Sequence, residues 1–263
     1  MNSRRRFAAA LFILAVFAPI QLPAAPIERP LIRLTNGEWP PWMSERLPEG
    51  GPVSQLVREA WAEAGFAVKW GWMPWARGYA LAAAGAWDGT TGWSRTPARE
   101  RAFVYSAPLF EGETVLLSRR DKPVTWRTVD DLRGVRLGVT LSYTYGTTID
   151  SMIASGALLT DPAPDDTTNL QKLLAGRIDA FPLERHVAGA LLQQAFPRQA
   201  HLIGCSPTLL RRATYHLLLT RKRPDAQALA EQFNAGLARL IERGRAAAIL
   251  DVVKRSALRC DFR

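Results

Sequence analysis

The phrase AGAWD at residues 84–88 returns as AGRID at residues 175–179, and this pair decides the fold. Each copy lies where an amphipathic helix ends and a strand begins, and glycine is the residue that most often follows a helix C-terminus. One copy alone would carry little weight. Two copies at matching places predict a chain built as two lobes on one plan.

Short apolar strands and amphipathic helices alternate around both copies, which predicts an α/β fold with a mostly parallel sheet. The predicted strands cover residues 31–34, 68–72, 135–139, 158–160 and 215–220. The predicted helices cover residues 53–64, 74–84, 147–154, 169–175, 225–244 and 246–253. No stretch has the composition of a flexible interdomain linker. We therefore expect two tightly joined lobes, with a ligand cleft between them.

The composition is that of an ordinary globular protein of 263 residues, with 48% hydrophobic and 22% charged residues. Its net charge is +10, but the basic residues are scattered along the chain and match no nucleic-acid-binding module. We therefore expect a solvated basic surface and no nucleic-acid partner.

The first 25 residues are organised like a secretory signal. Three arginines at residues 4–6 precede an apolar run of 14 residues, 7–20, and the small residues Ala24 and Ala25 follow. A membrane span needs about 20 apolar residues, so this run is too short for one. We expect cleavage near Pro26 and a periplasmic mature protein. No cysteine follows the run, so we expect no lipid anchor.

The two cysteines, Cys205 and Cys260, form an even pair in a chain expected to reach an oxidising compartment. A disulfide between them would fasten the C-terminal tail, and two unpaired thiols are the alternative. The three histidines show no metal-ligand spacing, so we expect neither a metal nor a cofactor.

Four stretches carry a resemblance to a known family. They are NGEWPPW at 36–42, DGTTGWSRTPARER at 88–101 with YSAP at 105–108, LRGVRLGV at 132–139, and GRIDAF at 176–181. Together they resemble the bacterial extracellular solute-binding proteins of family 3, the periplasmic receptors for polar amino acids that serve ABC importers. The resemblance covers nearly the whole mature chain.

The resemblance implies a type II periplasmic-binding-protein fold with two hinge crossings. Lobe 1 would comprise residues 26–111 and 214–263, and lobe 2 residues 112–213. The family's function would be capture of a small solute by a monomer that closes at the hinge and delivers the solute to an ABC permease.

The family's carboxylate-binding arginine ends a Ser/Thr-x-Thr-x-x-Arg phrase, which here is SRTPAR at residues 94–99. The resemblance therefore assigns the carboxylate to Arg99, whose planar guanidinium matches a carboxylate with two parallel hydrogen bonds. Ser94 and Thr91 fall where the family offers hydroxyl and backbone contacts. The alternative is that Arg99 is an ordinary surface arginine.

The loop SYTY at residues 142–145 follows a strand and precedes a helix. Free amides at a helix N-terminus attract anions, so we expect Thr144 and Tyr145 to hold the same carboxylate from the second lobe. Ordinary N-capping by Ser142 or Thr144 is an equally good use of this loop.

An acidic residue after the second-lobe Gly-x-x-Asp phrase usually meets the ligand ammonium in this family. Glu184 is the natural candidate here, with Arg185 as an alternative occupant of that place. Four tryptophans, Trp39, Trp42, Trp75 and Trp93, lie in loops or at element ends, where they could stack on a ligand. Arg77 is a second possible anion donor.

Three functions remain open from the sequence. The first is a binding protein without chemistry. The second is an enzyme on the same fold, like the periplasmic cyclohexadienyl dehydratases, with Glu184 or His186 as the candidate acid or base. The third is a sensor subunit that docks on a membrane receptor.

Overall fold

The structure is a computed structural model that describes residues 29–260. The predicted signal segment, residues 1–25, lies outside the described residues. None of the helices within residues 29–260 combines the length and apolarity that a membrane span needs.

Strands and helices alternate through most of this range. The strands are β1 (Leu31–Asn36), β2 (Ala67–Trp72), β3 (Gly89–Ser94), β4 (Phe103–Tyr105), β5 (Phe110–Arg119), β6 (Arg136–Thr140), β7 (Leu159–Ala163), β8 (Ala180–Glu184) and β9 (Ile203–Thr220). The helices are α1 (Pro52–Glu63), α2 (Trp75–Ala83), α3 (Pro97–Ala102), α4 (Thr147–Ala154), α5 (Asp166–Leu174), α6 (Arg185–Ala195), α7 (Ala226–Glu242) and α8 (Arg245–Leu250). Every predicted helix and strand is present, and β3 and β8 are the strands expected to begin at the two repeated phrases; β4, β5, α3 and α6 were not predicted.

The strands form one curled sheet in the order β2-β1-β3-β9-β5-β8-β6-β7, with β4 paired to β9. Pairing is parallel at both ends, where β1 meets β2 and β3, and β6 meets β7 and β8. Pairing is antiparallel in the middle, through β3, β9, β5 and β8. Two parallel βα lobes are thus joined by two long antiparallel strands. The predicted type II periplasmic-binding-protein fold is confirmed.

The repeated phrase performs the same structural task in both lobes. The N–H of Asp88 donates to Arg33 O at 2.9 Å, and its carboxylate accepts from the Arg33 N–H at 2.7 Å. Asp179 makes the same two contacts with Arg136, at 2.8 and 3.0 Å. The glycines of the two phrases have φ angles of +83° and +67°, a region that favours glycine. Each phrase therefore ends a helix, and its aspartate joins the start of the next strand to a neighbouring strand by hydrogen bonds.

The predicted hinge crossings, near residues 109–113 and 212–215, lie side by side in β5 and β9. Phe110 pairs with Tyr215, and Glu113 pairs with Arg212. Strand β9 has 18 residues where six were predicted at 215–220, because its first half contains Pro207, has no alternation of apolar and polar residues, and is held extended by pairing with β5. The lobe boundaries at 111 and 214 stay a prediction.

The C-terminal tail is fastened to the second lobe. Cys205 in β9 and Cys260 form the predicted disulfide, which is thereby confirmed. The N–H of Leu258 donates to Arg185 O at 3.2 Å, at the start of α6. The tail thus crosses from α8 in the first lobe to α6 in the second.

Candidate functional site

Arg99 is carried by the short helix α3, which begins soon after β3 ends at Ser94. Thr96 is the N-cap residue, and its hydroxyl accepts a hydrogen bond from the Arg99 N–H at 3.2 Å. Pro97 occupies the first turn. Threonine and proline are favoured at these two positions. The phrase that identified Arg99 also builds the turn that returns its side chain to the end of β3.

The Arg99 guanidinium spans the cleft between the lobes. Nη1 donates to Ser94 O at 2.9 Å and to Ser94 Oγ at 3.2 Å, and Nη2 donates to Ser142 O at 2.8 Å. The guanidinium carbon lies 4.6 Å from the centroid of the Trp93 ring, a cation–π contact. Arg99 is 7% exposed, and its hydrogen-bond partners within residues 29–260 are all neutral oxygens. A buried guanidinium with only neutral partners is suited to bind an anion.

A second guanidinium lies close to the first. Burial lowers the pKa of Arg99 below its ordinary value, and the charge of Arg211 on β9 contributes to the same lowering. Arg211 Nη1 donates to Thr144 O at 2.7 Å. Arginine remains charged at neutral pH in spite of such shifts. A carboxylate placed here would therefore meet two cations.

A cavity of about 50 Å³ lies beside Arg99. Its walls come from both lobes and are mostly aromatic: Trp39, Trp75, Gly92, Trp93, Ser94, Arg99, Tyr143, Thr144 and Tyr215. Trp75 packs edge-on against Trp93 with ring centroids 5.4 Å apart, and Trp39 lies 5.1 Å from Tyr215. The arrangement offers one charged anchor within a rigid apolar wall, which is the usual composition of a small-molecule site.

The loop at 142–145 supplies the second-lobe wall. The N–H of Tyr143 donates to Thr140 O at 3.1 Å, and the N–H of Tyr145 donates to Asp150 Oδ1 at 2.8 Å. The Thr144 hydroxyl also donates to Asp150. Gly146 is the N-cap of α4 and no side chain caps that helix, so neither expected capping contact forms. The Thr144 N–H makes no hydrogen bond within residues 29–260 and is free to meet an anion.

Glu184 is buried away from this cavity, at the start of α6. Its Oε2 accepts from Trp42 Nε1 at 3.0 Å and from the N–H groups of His186 and Val187 at 2.9 Å. Its Oε1 lies 2.9 Å from His186 Nδ1. Glu184 is the N-cap of α6, and it lines neither of the two spaces in the cleft. The alternative residue, Arg185, is ion-paired with Glu113 at 2.7 Å.

A larger groove of about 1090 Å³ adjoins the cavity and is also lined by both lobes. The charged residues of its lining are Glu38, Glu45, Asp165, Asp166 and Arg46. Four are acidic and one is basic, although the chain as a whole carries a net charge of +10. The groove and the cavity therefore differ in the sign of their charge.

Asp166 is the buried acid of this groove, with 6% of its surface exposed. Its Oδ1 accepts from the Thr140 hydroxyl at 2.7 Å, and its Oδ2 accepts from the Tyr143 hydroxyl at 3.0 Å. Burial raises the pKa of Asp166 to about 6, against the opposing effect of these hydrogen bonds. The buried indole N–H of Trp39 lies near this carboxylate and has no hydrogen-bond partner among the described residues.

The sequence of residues 32–252 matches the family model of bacterial extracellular solute-binding proteins, family 3. The chain belongs to this family. The match covers both lobes and both connecting strands, so the family assignment rests on the whole fold and not on one motif. The resemblance recognised in the four sequence stretches is confirmed.

Solved structures of this solute-binding fold include several close in shape to the chain. An amino acid ABC transporter substrate-binding protein from Streptococcus pneumoniae, bound to L-arginine, superposes with a TM-score of 0.70 at 17% identity, over 87% of this chain and 96% of that one. A histidine kinase sensor domain gives 0.72 at 18% identity, over 86% and 97%. An ancestral amino acid-binding protein, a precursor of cyclohexadienyl dehydratase, gives 0.64 at 17%, over 84% and 94%. At these identities the likeness shows the fold alone. No match was found among curated proteins.

The predicted site residues of this solute-binding protein divide into two groups. Five of them, Trp39, Trp93, Ser94, Arg99 and Thr144, meet at the cavity. The other four, Thr91, Tyr145, Glu184 and Arg77, do not line it.

Each of the residues away from the cavity has another setting. Thr91 is fully buried in β3. Tyr145 belongs to the second-lobe core, where its hydroxyl accepts from the Thr140 N–H at 2.7 Å. Arg77 is exposed on α2. No group of three or more potential metal ligands is found among the described residues.

Trp75, one of the tryptophans expected near a cleft, also lines the cavity. Sequence reasoning did not assign Tyr143, Tyr215, Arg211 or Asp166 to the site. Tyr143 and Tyr215 carried a signal, because one lies in the quoted anion-binding loop and the other at a predicted hinge crossing. Asp166 and Arg211 carried none. Neither lies in a recognised motif, and only the folded chain brings them to the cleft.

Proposed function

We propose that this protein captures a small carboxylate-bearing solute, an amino acid or a derivative of one, between Arg99 and the 142–145 loop. The observation that carries the proposal is the buried Arg99 guanidinium, which has neutral partners on both lobes and faces an aromatic cavity. A guanidinium fork binds a carboxylate with two charge-assisted hydrogen bonds, which are stronger than neutral ones. The free Thr144 amide and the Arg211 guanidinium support the same anion from the second lobe.

We infer hinge closure because the walls of the cavity belong to different lobes. Arg99 belongs to the first lobe, while Tyr143 and Thr144 belong to the second, and β5 and β9 connect the two. A solute that contacts both walls stabilises the closed arrangement over the open one by its extra contacts. Binding and closure are therefore one event.

The chain binds its solute and does not transform it, in this proposal. An enzyme would place a proton donor or acceptor within reach of the solute. The two candidates from the sequence, Glu184 and His186, are hydrogen-bonded to each other at the start of α6 and line neither space in the cleft, and the carboxylate of Asp166 is engaged by the hydroxyls of Thr140 and Tyr143. That arrangement supports binding over catalysis.

The proposed setting is the periplasm, where a monomer released by signal cleavage delivers the solute to an ABC importer. The family is by description extracellular, and the S. pneumoniae neighbour is described as a transporter substrate-binding protein. The sensor-domain neighbour makes a receptor subunit the competing partner. Direct transport assays with the importer encoded nearest to this gene would separate the two.

A thermal-shift screen over amino acids, opines and small dicarboxylates tests the binding proposal. The compounds that raise the melting temperature of the parent should fail to raise that of Arg99→Ala. Arg99→Lys should recover little, because an ammonium cannot reproduce the fork. Arg101→Ala is the matched control, since Arg101 is exposed on the same helix. Equal shifts for Arg99→Ala and the parent would remove Arg99 from the site.

A further inference from the structure

We propose that Asp166 recognises a cationic group of the solute, placed several bonds away from the carboxylate that Arg99 holds. The solute would then be an amino or guanidino acid with its second charge at the far end of a chain. This inference rests on the proposed function of the Arg99 cavity and adds the class of solute.

The first argument is the separation of charge along the cleft. Arg99 is the only charged residue in the lining of the small cavity, and the adjoining groove carries four acids and one arginine. A molecule that enters both spaces meets a positive region and then a negative one. Complementary charges in that order are carried by a carboxylate at one end and a cation at the other.

The second argument is that the two spaces are contiguous. Trp39, Trp75 and Tyr143 line both of them. Tyr143 connects the two charged groups, because its hydroxyl donates to Asp166 while the preceding residue, Ser142, accepts from Arg99. The shared wall is aromatic, which suits the methylene chain of a solute that joins the two charges. Asp166 lines the groove and not the cavity, so the cation it meets is not the α-ammonium beside the carboxylate.

The third argument is the unused capacity of the Asp166 carboxylate. An ionised carboxylate has about four acceptor sites, and two donors reach it here, the hydroxyls of Thr140 and Tyr143. Asn169 Nδ2 donates to Thr140 Oγ1 at 3.0 Å, which leaves the hydroxyl proton of Thr140 for Asp166. The contacts therefore orient the carboxylate without neutralising it, because no basic side chain within residues 29–260 is paired with it.

Two matched pairs of amino acids test the inference by calorimetry. L-Arginine and L-citrulline differ in whether the end of the chain is charged, and so do L-lysine and L-norleucine. We expect the parent to bind the charged member of a pair at least about tenfold more tightly, as for one charge pair in a partly buried site. Asp166→Asn should lose about that factor for L-arginine or L-lysine and should leave the neutral member within about twofold.

Asp130→Asn is the control, because it removes the same charge from an exposed second-lobe position that lines neither the cavity nor the groove. It should leave the ratio within each pair unchanged. Equal affinity for both members of each pair, or no binding of L-arginine and L-lysine, would overturn the inference; the first of these results would leave the Arg99 proposal standing. The ratio in the parent decides the matter even if Asp166→Asn does not fold. If Arg99→Ala binds neither the charged nor the neutral amino acid of a pair, that result tests the carboxylate site and not the role of Asp166.

Discussion

Glu184 and Asp166 are both buried acids at the start of second-lobe helices, and their surroundings differ. Glu184 caps α6 and accepts from an indole, two backbone amides and an imidazole nitrogen. Asp166 stands one residue after the cap of α5 and accepts from two hydroxyls beside an open groove. A sequence motif therefore predicts where along the chain a buried acid lies, but it does not predict what that acid binds. The neighbours in space decide whether that acid serves the fold or the solute.

Removal of the disulfide should have the largest effect of all on stability, and it acts on the region around Glu184. The disulfide fastens the tail to β9 and closes a loop of 55 residues, and the same tail hydrogen-bonds to Arg185 at the start of α6. Such a bridge is worth about 4 kcal/mol in the chain-entropy model. We expect Cys205→Ser and Cys260→Ser each to lower the free energy of unfolding by about this amount in urea titrations. The double variant should lose no more than either single one, and solute affinity should hardly change.

Glu184→Ala should come next, with a loss of about 3 kcal/mol of stability, because it strands buried donors that have no other acceptor. Glu184→Gln keeps the shape and should cost less than about 1 kcal/mol. Chemical denaturation measures both. If Glu184→Ala were as stable as the parent, the structural role of this carboxylate would be refuted.

Asp166→Asn should stabilise the solute-free protein at pH 7, by about 2 kcal/mol after allowance for weaker neutral hydrogen bonds. Burial raises the pKa of Asp166 in the folded state from 3.8 to about 6, so folding favours the protonated acid. That contribution is complete below the unfolded pKa and is lost as the pH rises through about 6. The gain from Asp166→Asn should therefore grow between pH 4 and pH 7 in unfolding titrations. A gain that does not depend on pH would show that Asp166 is not buried as a charge.

Arg211→Gln should have the smallest effect, a loss of about three- to tenfold in affinity, because Arg211 supports the anion without lining the cavity. The control is Arg212→Gln, which alters an exposed neighbour paired with Glu113. Calorimetry with the same solute should find Arg212→Gln unchanged. A larger loss of affinity in Arg212→Gln than in Arg211→Gln would place the second cation of the site elsewhere in β9.

The sequence predicted the lobes better than it predicted their junction. The periodic elements and the two Gly-x-x-Asp phrases specify their structure locally, and all of them formed as expected. The first half of β9 has no such local pattern, since it contains Gly204 and Pro207 without an alternation of apolar and polar residues, and it is extended through its pairing with β5. Strands of this kind are set by tertiary contacts, which a single sequence does not display.

In the candidate site too, residues with local contacts were easier to predict than residues whose contacts are distant in sequence. Arg99 was predicted from the family's Ser/Thr-x-Thr-x-x-Arg phrase, and its helix start, its cap and its contact with Ser94 all lie within these six residues of sequence. Asp166 meets the cleft through Tyr143, 23 residues away. Glu184 was expected to face the solute, but it caps α6 through His186 and Val187 and also accepts from Trp42, 142 residues earlier. Partners so distant in sequence leave no local signal.

Calorimetric titration of Arg99→Ala and Glu184→Gln against the parent tests the central claim most directly, with the solute that gives the largest thermal shift. The removal of one partner from a buried charge pair costs roughly 2–5 kcal/mol, so Arg99→Ala should bind about 30- to several-thousand-fold more weakly. Glu184→Gln should bind within about threefold of the parent, because its carboxylate serves α6. A large loss in Glu184→Gln together with parent-like affinity in Arg99→Ala would contradict the account and place the solute at the start of α6.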